Sequence, residues 1–470
     1  MARPNIPQMK VAYFLDKELS INNIIEKHIE LVTKPIVKVL NFDIIDGKCV
    51  EETKVLREAK PAPRKAVLYA KYVYLIHTII VRCMSNKKFC TRLSYDIMES
   101  TLGEHYGDML MTLEELGVIF LSQVYEVGIF GRTIFLKNTN IDYTITNNKL
   151  VIKYAKKVSA SIEKFTNNAL KQYGDDDFIK NYQNSLSKLE LIKKDNALEY
   201  ICQKELKKDG SKPFYIAKIN NFEFDTKQIY SIDKNKRIYH YLTNLPRELK
   251  QFFNIKFQID IANSHPLLFS LFLIKRYNIS NNLLNNLINN NIEYLTEYKW
   301  YHYSPQQLCN QLNDSDIEVL CNSIPVDVLK YIYRTSKGDF WDDFCVDEID
   351  RSELKKKMFE EVFYSRKSII KNKTFAKFFR REYPFVWSLI KDLKEESSTH
   401  IANGMMANES DLFYKILKQC YAQNWKVINI HDAVVVLDVE ENENVTTDAV
   451  RDIVNSVYND AQLYPTLHVD

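Results

Sequence analysis

The pattern of apolar and polar positions changes several times along the chain, and each change predicts a new kind of element. Residues 1–60 mix short amphipathic runs, and the cluster Pro61-Ala62-Pro63 reads as a linker. A long apolar helix is expected from Lys65 to about Met84. A short helix follows, with Ser94 as its N-cap and Gly103 as its stop, and then a second helix from His105 to Gly117. Val118-Ile-Phe-Leu121 and Thr133-Ile-Phe-Leu-Lys137 flank a turn containing Gly128 and Gly131, the signature of a β-hairpin. Residues 150–210 are polar, lysine-rich and helically patterned, broken by Asp175-Asp176-Asp177. From about Phe214 the pattern switches to strands and buried helices.

Helix, paired helices and hairpin, in that order, are the order of a winged helix, in which one helix enters a DNA groove and the hairpin touches backbone. The second of the paired helices carries Glu104, Asp108, Glu114 and Glu115, which suits a structural or protein-binding winged helix as well. The chain is thereby read as four segments: an N-terminal segment and linker over 1–64, a winged helix over 65–145, a helical thumb-like region over 146–215, and the chemistry-bearing domain over 216–470. The fold class is α+β and helix-rich.

Composition narrows the function classes. In 470 residues, 46% hydrophobic, there are only 10 glycines, and neither GxGxxG nor GxxxxGK[ST] occurs, which argues against Rossmann and Walker-type nucleotide sites. The net charge is +3 but uneven. Residues 151–220 hold 14 Lys against 9 acids, and residues 431–470 hold 9 acids against one Arg. A basic body with an acidic strip can hold a polyanion, or can be no more than solvated helix faces. The eight cysteines are scattered without a CxxC, so neither a zinc site nor a disulfide framework is indicated. The start MARPNIPQMK has no apolar signal core, and the apolar stretch Val67–Val81 is short for a bilayer span. A cytoplasmic protein with no membrane partner is expected.

Two acids end apolar strands. Phe257-Gln-Ile-Asp260-Ile261 is a strand finishing in an acid, followed by Ala-Asn-Ser-His265 and an apolar helix. Val427-Ile-Asn-Ile430-His431-Asp432-Ala-Val-Val-Val-Leu437 is a hairpin with His431-Asp432 at its tip. Acids at such positions are costly unless paired or bound to cations. Each alone reads equally as a helix cap or a turn residue. Together they suit two divalent cations, which stabilise attacking and leaving oxygens in phosphoryl transfer. Between them Arg351, Lys355, Phe359 and Phe363 recur every four residues, one slowly drifting face of a helix. Cations in its first turns suit a triphosphate and rings further along suit a base and sugar, although an ordinary amphipathic helix reads the same way.

At these residues the sequence resembles the family A polymerases, which comprise DNA polymerase I-like enzymes and single-subunit RNA polymerases. Asp260 with Asn263-Ser-His265-Pro resembles motif A, Asp350–Tyr364 motif B, and Ile430-His431-Asp432 motif C. The resemblance spans about residues 225–445. It implies a right-handed palm, fingers and thumb, a template-directed DNA polymerase, and two Mg²⁺ ions (Mn²⁺ as substitute) held by Asp260, Asp432 and the Ile261 carbonyl. It further implies that Arg351 and Lys355 clamp the triphosphate, with Lys355 protonating the leaving oxygen. Phe359 and Phe363 would stack on the nascent pair and His431 would touch the primer terminus. Arg237 and Asn244, in Asn235–Pro246, would contact primer and template. Expected partners are a primer–template and nucleoside triphosphates, in a compact enzyme of the kind found in phages or mobile elements, with no segment that reads as a proofreading exonuclease.

Three departures matter. Ala433 stands where the DNA polymerases have a second acid. His265 stands where they have a Glu crowding the ribose 2′ position. Phe363 stands where the family has Tyr, which leans toward deoxynucleotides. The alternatives are a primase or RNA polymerase on the same palm, a DNA-binding replication initiator with a degenerate palm, and a metal-dependent nuclease.

Overall fold

The computed structural model of the protein describes residues 11–16, 19–45, 48–84, 90–93, 95–103, 105–122, 133–137, 141–146, 148, 150–154, 157–158, 170, 173–203, 212–222, 229–289, 324–344, 351–365 and 374–470. The fold is α+β, with many helices and small antiparallel sheets. The chain divides into two compact units. One comprises Met1–Asn168, Leu191–Gln228 and Leu245–Phe253, and the other Ala169–Glu190, Ile229–Asn244 and Asn254–Asp470.

The first unit is built around the helix Lys65–Met84. Leu68, Tyr72, Leu75, Ile76, Ile79 and Ile80 of this helix are buried in one core with Ile24 and Ile25 of the helix Ile21–Thr33 and with Met109 and Leu113 of the helix Tyr106–Glu115. At 20 residues the helix is longer than the apolar stretch that the sequence showed, and it has the length and composition to cross a membrane. In an 18-residue window 56% is buried in the unit, as in a core helix. The strands Cys90–Arg92, Ile119–Leu121 and Thr133–Leu136 form an antiparallel sheet with the last of them in the centre. The helices Tyr95–Leu102 and Tyr106–Glu115 lie between the first two strands in sequence, and Gly103 and Gly117 follow them at positive φ, where a side chain would be strained. Ser94, Glu104, Gly128 and Gly131 lie outside the described residues.

The stretch 1–64, read from sequence as an N-terminal segment and linker, contains described elements that belong to the first unit. The strand Val11–Asp16 pairs with Ile141–Thr146, and the apolar stripe of the helix Ile21–Thr33 has nowhere to be buried except the shared core. The strands Ile36–Ile45 and Lys48–Arg57 form a hairpin of their own.

The second unit is centred on a four-stranded antiparallel sheet in the order Val427–Ile430, Ala433–Leu437, Ile255–Ile261, Leu467–Val469. Every residue of Ala433–Leu437 is buried, and each such valine or leucine contributes about 1.5–3 kcal/mol of apolar transfer. The helix His400–Ala422 packs on the strand Val427–Ile430 and against the helices Ser264–Tyr277 and Thr447–Asp460. The helix Val326–Lys337 packs against Ser264–Tyr277 and Pro384–Glu396. Within this helical part Arg334 is buried with Asp339 at 2.6 Å and Asp343 at 2.9 Å, and Asp343 also faces Lys330 at 3.4 Å, so that buried charge is matched by opposite charge.

The lysine-rich stretch over 146–215 is not one thumb-like region. Its helix Asp176–Ser187 belongs to the second unit, where Phe178 packs on Tyr173, Tyr414 and Tyr421, and Tyr182 bonds Asn429. Its helix Lys194–Gln203 belongs to the first unit, where Tyr200 meets Phe252. The apolar residues of the two helices, not their shared lysine content, decide where each one packs.

Candidate active site

Strand pairing brings the two acids together. Asp260 lies opposite Ala433, and the Ile261 N–H donates to the Asp432 carbonyl at 3.2 Å, so Asp260 and Asp432 sit at adjoining ends of neighbouring strands. Facing residues in such a pair have Cα atoms about 4.5–5.5 Å apart. The tip of the hairpin is made by His431 at φ +54°, which turns the chain sharply between Ile430 and Asp432. Both aspartates are half-buried. Burial is the main cause lifting the Asp432 carboxyl above its usual range, and the negative charge of Glu409 adds to it. The Asp432 backbone N–H, His265 and Lys355 pull the other way.

His265 lies in the first turn of the helix Ser264–Tyr277, positioned by Asn263 in the left-handed region before it. The Arg237 guanidinium donates to His265 Nε2 at 2.9 Å, and His265 Nδ1 bonds the Tyr364 hydroxyl. Arg237 also forms an ion pair with Glu409, which is 3% exposed and whose other oxygen lies 3.4 Å from His265. Burial works against the charge on Arg237, and Glu409 more than offsets this, holding the guanidinium firmly protonated. Burial likewise works to raise the Glu409 carboxyl, but His265 and Arg237 hold it below its ordinary value. Four side chains from four separate parts of the chain thus form one polar network next to Asp432.

The Arg351–Phe363 segment departs from the expected single face. It is α-helical over Arg351–Lys357 and widens to a π turn over Met358–Phe363, where the Tyr364 N–H bonds the Phe359 carbonyl at 2.8 Å. Lys355 is exposed, its ammonium 5.8 Å from the Trp341 ring and near enough to Asp432 to lower that carboxyl's pKa. Lys356 turns instead to Glu360. Phe359 is half-buried, edge-on to His265 and stacked on Tyr364 with centroids 5.2 Å apart.

Phe363, expected to stack on a nucleotide, is 0% exposed and packs on Phe269 and Phe379 instead. The extra residue of the π turn rotates Phe363 into the core and presents Tyr364 in its place. The side chain of Arg351 lies outside the described residues.

The other expected contacts are distributed differently. His431 is exposed and lines a cleft with Arg237, Tyr239, Ser410 and Asn429. Arg237 belongs to the same cleft but is held by Glu409 and His265, so it is not a loose arm waiting for nucleic acid. Asn244 is exposed at the end of the Tyr241–Asn244 turn, and its amide donates to the His240 carbonyl at 3.3 Å, a turn-closing role. A second cleft of about 360 Å³ is lined by Tyr173, Asp175, Lys234, Asn235, Lys236 and Tyr414. There Asp175 is matched by Lys418 at 3.0 Å, while Lys236 lies over the Tyr173 ring.

Glu409 and Tyr364 were not singled out from sequence. Glu409 had a readable signal, since it stands in the apolar series Ile401, Met405, Leu412, Phe413 and Ile416 of one helix face. Tyr364 had none, because nothing in the four-residue spacing announces a π turn. Among the described residues no group of three or more His, Cys, Asp or Glu side chains is arranged to hold a metal. The sequence matches no known protein family and no curated protein.

Proposed function

We propose that the chain is a template-directed nucleotidyltransferase, a DNA polymerase of the family A kind, acting at Asp260 and Asp432. The observation that carries this reading is the antiparallel pairing of their strands, which brings Asp260 and Asp432 to adjoining strand ends, with Asp432 within reach of the charge of Lys355. Two Mg²⁺ ions fit the donor set. The Asp432 carboxyl, lifted by burial and by Glu409, is the kind of group that a divalent cation returns to its charged form. Bound there by Asp260, Asp432 and the Ile261 carbonyl, they would supply activation of a primer hydroxyl and neutralisation of a pyrophosphate leaving group.

The chain's own residues do the rest. Lys355, whose charge reaches the Asp432 carboxyl, is the donor to the leaving oxygen, and Arg351 starts the same helix as a further cation for the triphosphate. Phe359 offers an aromatic face and Tyr364 a phenol on the sugar side. His431 and the Lys236–Tyr173 cleft offer a path for the nucleic acid strand, where a cation and a ring suit phosphate and base. The order helix, strand, two helices, two strands in the first unit is that of a winged helix, which supports a DNA-contacting role for that unit. The same reading assigns the protein to the cytoplasm.

One observation favours the second reading, an RNA polymerase or primase on the same palm. The argument for deoxynucleotides rested on Phe363, and it is Tyr364 that faces His265. Arg237 can only donate, so in a neutral His265 ring Nε2 accepts and the Nδ1–H donates to the phenol oxygen, leaving the phenol hydrogen for an acceptor such as a ribose 2′-oxygen. Primer extension on a labelled duplex, with dNTPs and with rNTPs in Mg²⁺, tests both readings. The wild type is expected to extend the primer. Asp260→Ala and Asp432→Ala are expected to fall below about one thousandth of its rate while still binding the duplex. Equal extension by wild type and both variants, or none by any, sinks the assignment.

A further inference from the structure

A buried lysine lies behind the π turn and takes no part in the chemistry proposed above. Lys394, on the helix Pro384–Glu396, is 2% exposed. Its ammonium donates to the Val362 carbonyl, to the Ser365 carbonyl at 3.0 Å and to Ser365 Oγ at 2.8 Å. These are the carbonyls that a helix leaves without partners at its C-terminal end, where a cation is also favoured by the helix dipole. The Ser365 hydroxyl spends its single hydrogen on the Glu361 carbonyl at 3.0 Å, so toward Lys394 it can only accept. The Glu361 carboxylate accepts through Oε2 from the Phe375 and Ala376 amides at 3.1 and 3.2 Å. Among the described residues no acid pairs with the Lys394 ammonium, and its partners are three neutral oxygens.

Three acceptors around one nitrogen match an ammonium, which has three N–H groups, and do not match an amine, which has two and a lone pair. Loss of the proton or of the nitrogen must break at least one bond that fixes Val362–Ser365. That segment sets the register of the π turn, and the register decides whether position 363 or 364 meets His265.

We propose that Lys394 is the positioning residue that locks the π turn and thereby holds the Tyr364 hydroxyl on His265. Its effect on sugar selection rests on the polymerase reading, whereas the lock itself does not. With the lock open, the turn relaxes toward the α register, Phe363 moves toward the place of Tyr364, and the phenol leaves His265. Burial lowers the Lys394 pKa to about 8, so the lock is closed at neutral pH and opens as pH rises through that value.

Amide hydrogen exchange over residues 358–365 of the full chain tests the lock without reference to activity. Wild type at pH 7 is compared with wild type at pH 9, after correction for intrinsic exchange, and with Lys394→Met at pH 7. Protection of the Tyr364 amide is expected to fall at least about tenfold in both cases, the worth of one charge-assisted hydrogen bond, while Ala433–Leu437 stays protected. Unchanged protection in either comparison overturns the proposal. If Lys394→Met does not fold, the wild-type pH comparison and Ser365→Ala, which removes one acceptor, decide in its place.

The second readout is the ratio of kcat/KM for dNTP and rNTP. It is expected to shift in Lys394→Met in the same direction as in Tyr364→Phe, and to break near pH 8 in wild type but not in Lys394→Met. A folded Lys394→Met with the wild-type ratio and pH profile overturns the role in selection. Altered exchange in a chain that synthesises nothing supports the lock and sinks the polymerase reading alone.

Discussion

Glu409 occupies the one position on its helix face where an acid can meet Arg237 and His265 together, and it does so almost wholly out of water. Its worth lies less in the pair than in what its removal leaves behind, because a buried guanidinium without a counter-charge is costly. Glu409→Gln is expected to lower the stability of the second unit by about 3 kcal/mol, read as a shift in the midpoint of urea unfolding. Arg237→Met with Glu409→Gln should recover much of that loss. At this scale the sequence was readable where an acid stands at the end of an apolar run, since Asp260 and Asp432 do end adjoining strands. It was unreadable where identity is set by a turn, as for Phe363 and Tyr364. Spacing rules assume a regular helix, and one inserted residue exchanges neighbours that the rules treat as fixed.

Elements carry a second kind of information that the local sequence lacks. The helix Pro384–Glu396 begins with a proline at its first position, but Tyr383 before it provides no side-chain cap. The cap comes from another helix, where Asp327 accepts from the Phe385 and Val386 amides at 2.8 and 3.2 Å. Burial raises the Asp327 carboxyl to about 6, with the backbone amides pulling it part of the way back. A folded pKa above the unfolded value means that the folded state holds the proton more tightly. Stability from this group is therefore full below pH 4 and is lost as pH rises from 4 to 6, by about 3 kcal/mol. Asp327→Asn keeps an acceptor for both amides and should remove that slope from chemical denaturation curves taken between pH 4 and 7. Asp327→Ala should cost about 1–2 kcal/mol even at pH 4. Strands and helices were largely legible from periodicity, but a cap supplied from far away in sequence leaves no trace at the helix it serves.

For the molecule as a whole, the division into two units was the least legible property, because contacts and not composition define it. The lysine-rich stretch reads as one region and is shared between units, while residues 11–57 read as a preface and contain elements of the first core. The first unit has its own response to acid. His28 is buried against Thr112 and the Tyr72 hydroxyl, and burial, with a further contribution from His105, lowers its pKa to about 4. Its contribution is full above pH 6.5 and is lost as pH falls toward 4, by about 3 kcal/mol, the opposite sense to Asp327 in the second unit. Hydrogen exchange should show helices Ile21–Thr33 and Lys65–Met84 losing protection between pH 6.5 and 4.5, and His28→Gln should remove about half of that loss, since burial also lowers His77 of the second helix to about 4.

The strand that carries Asp260 is interior to its sheet only because Leu467–Val469 covers its outer side, with Asp260 opposite His468 and the Asp470 and Gln258 backbones exchanging hydrogen bonds at 3.0 Å. Deleting Leu467–Asp470 would strip that cover and leave the strand Ile255–Ile261 as a sticky edge with open amides and carbonyls. A disturbed Asp260 and the onset of self-association would then arrive together, from the removal of a few residues at the far side of the strand.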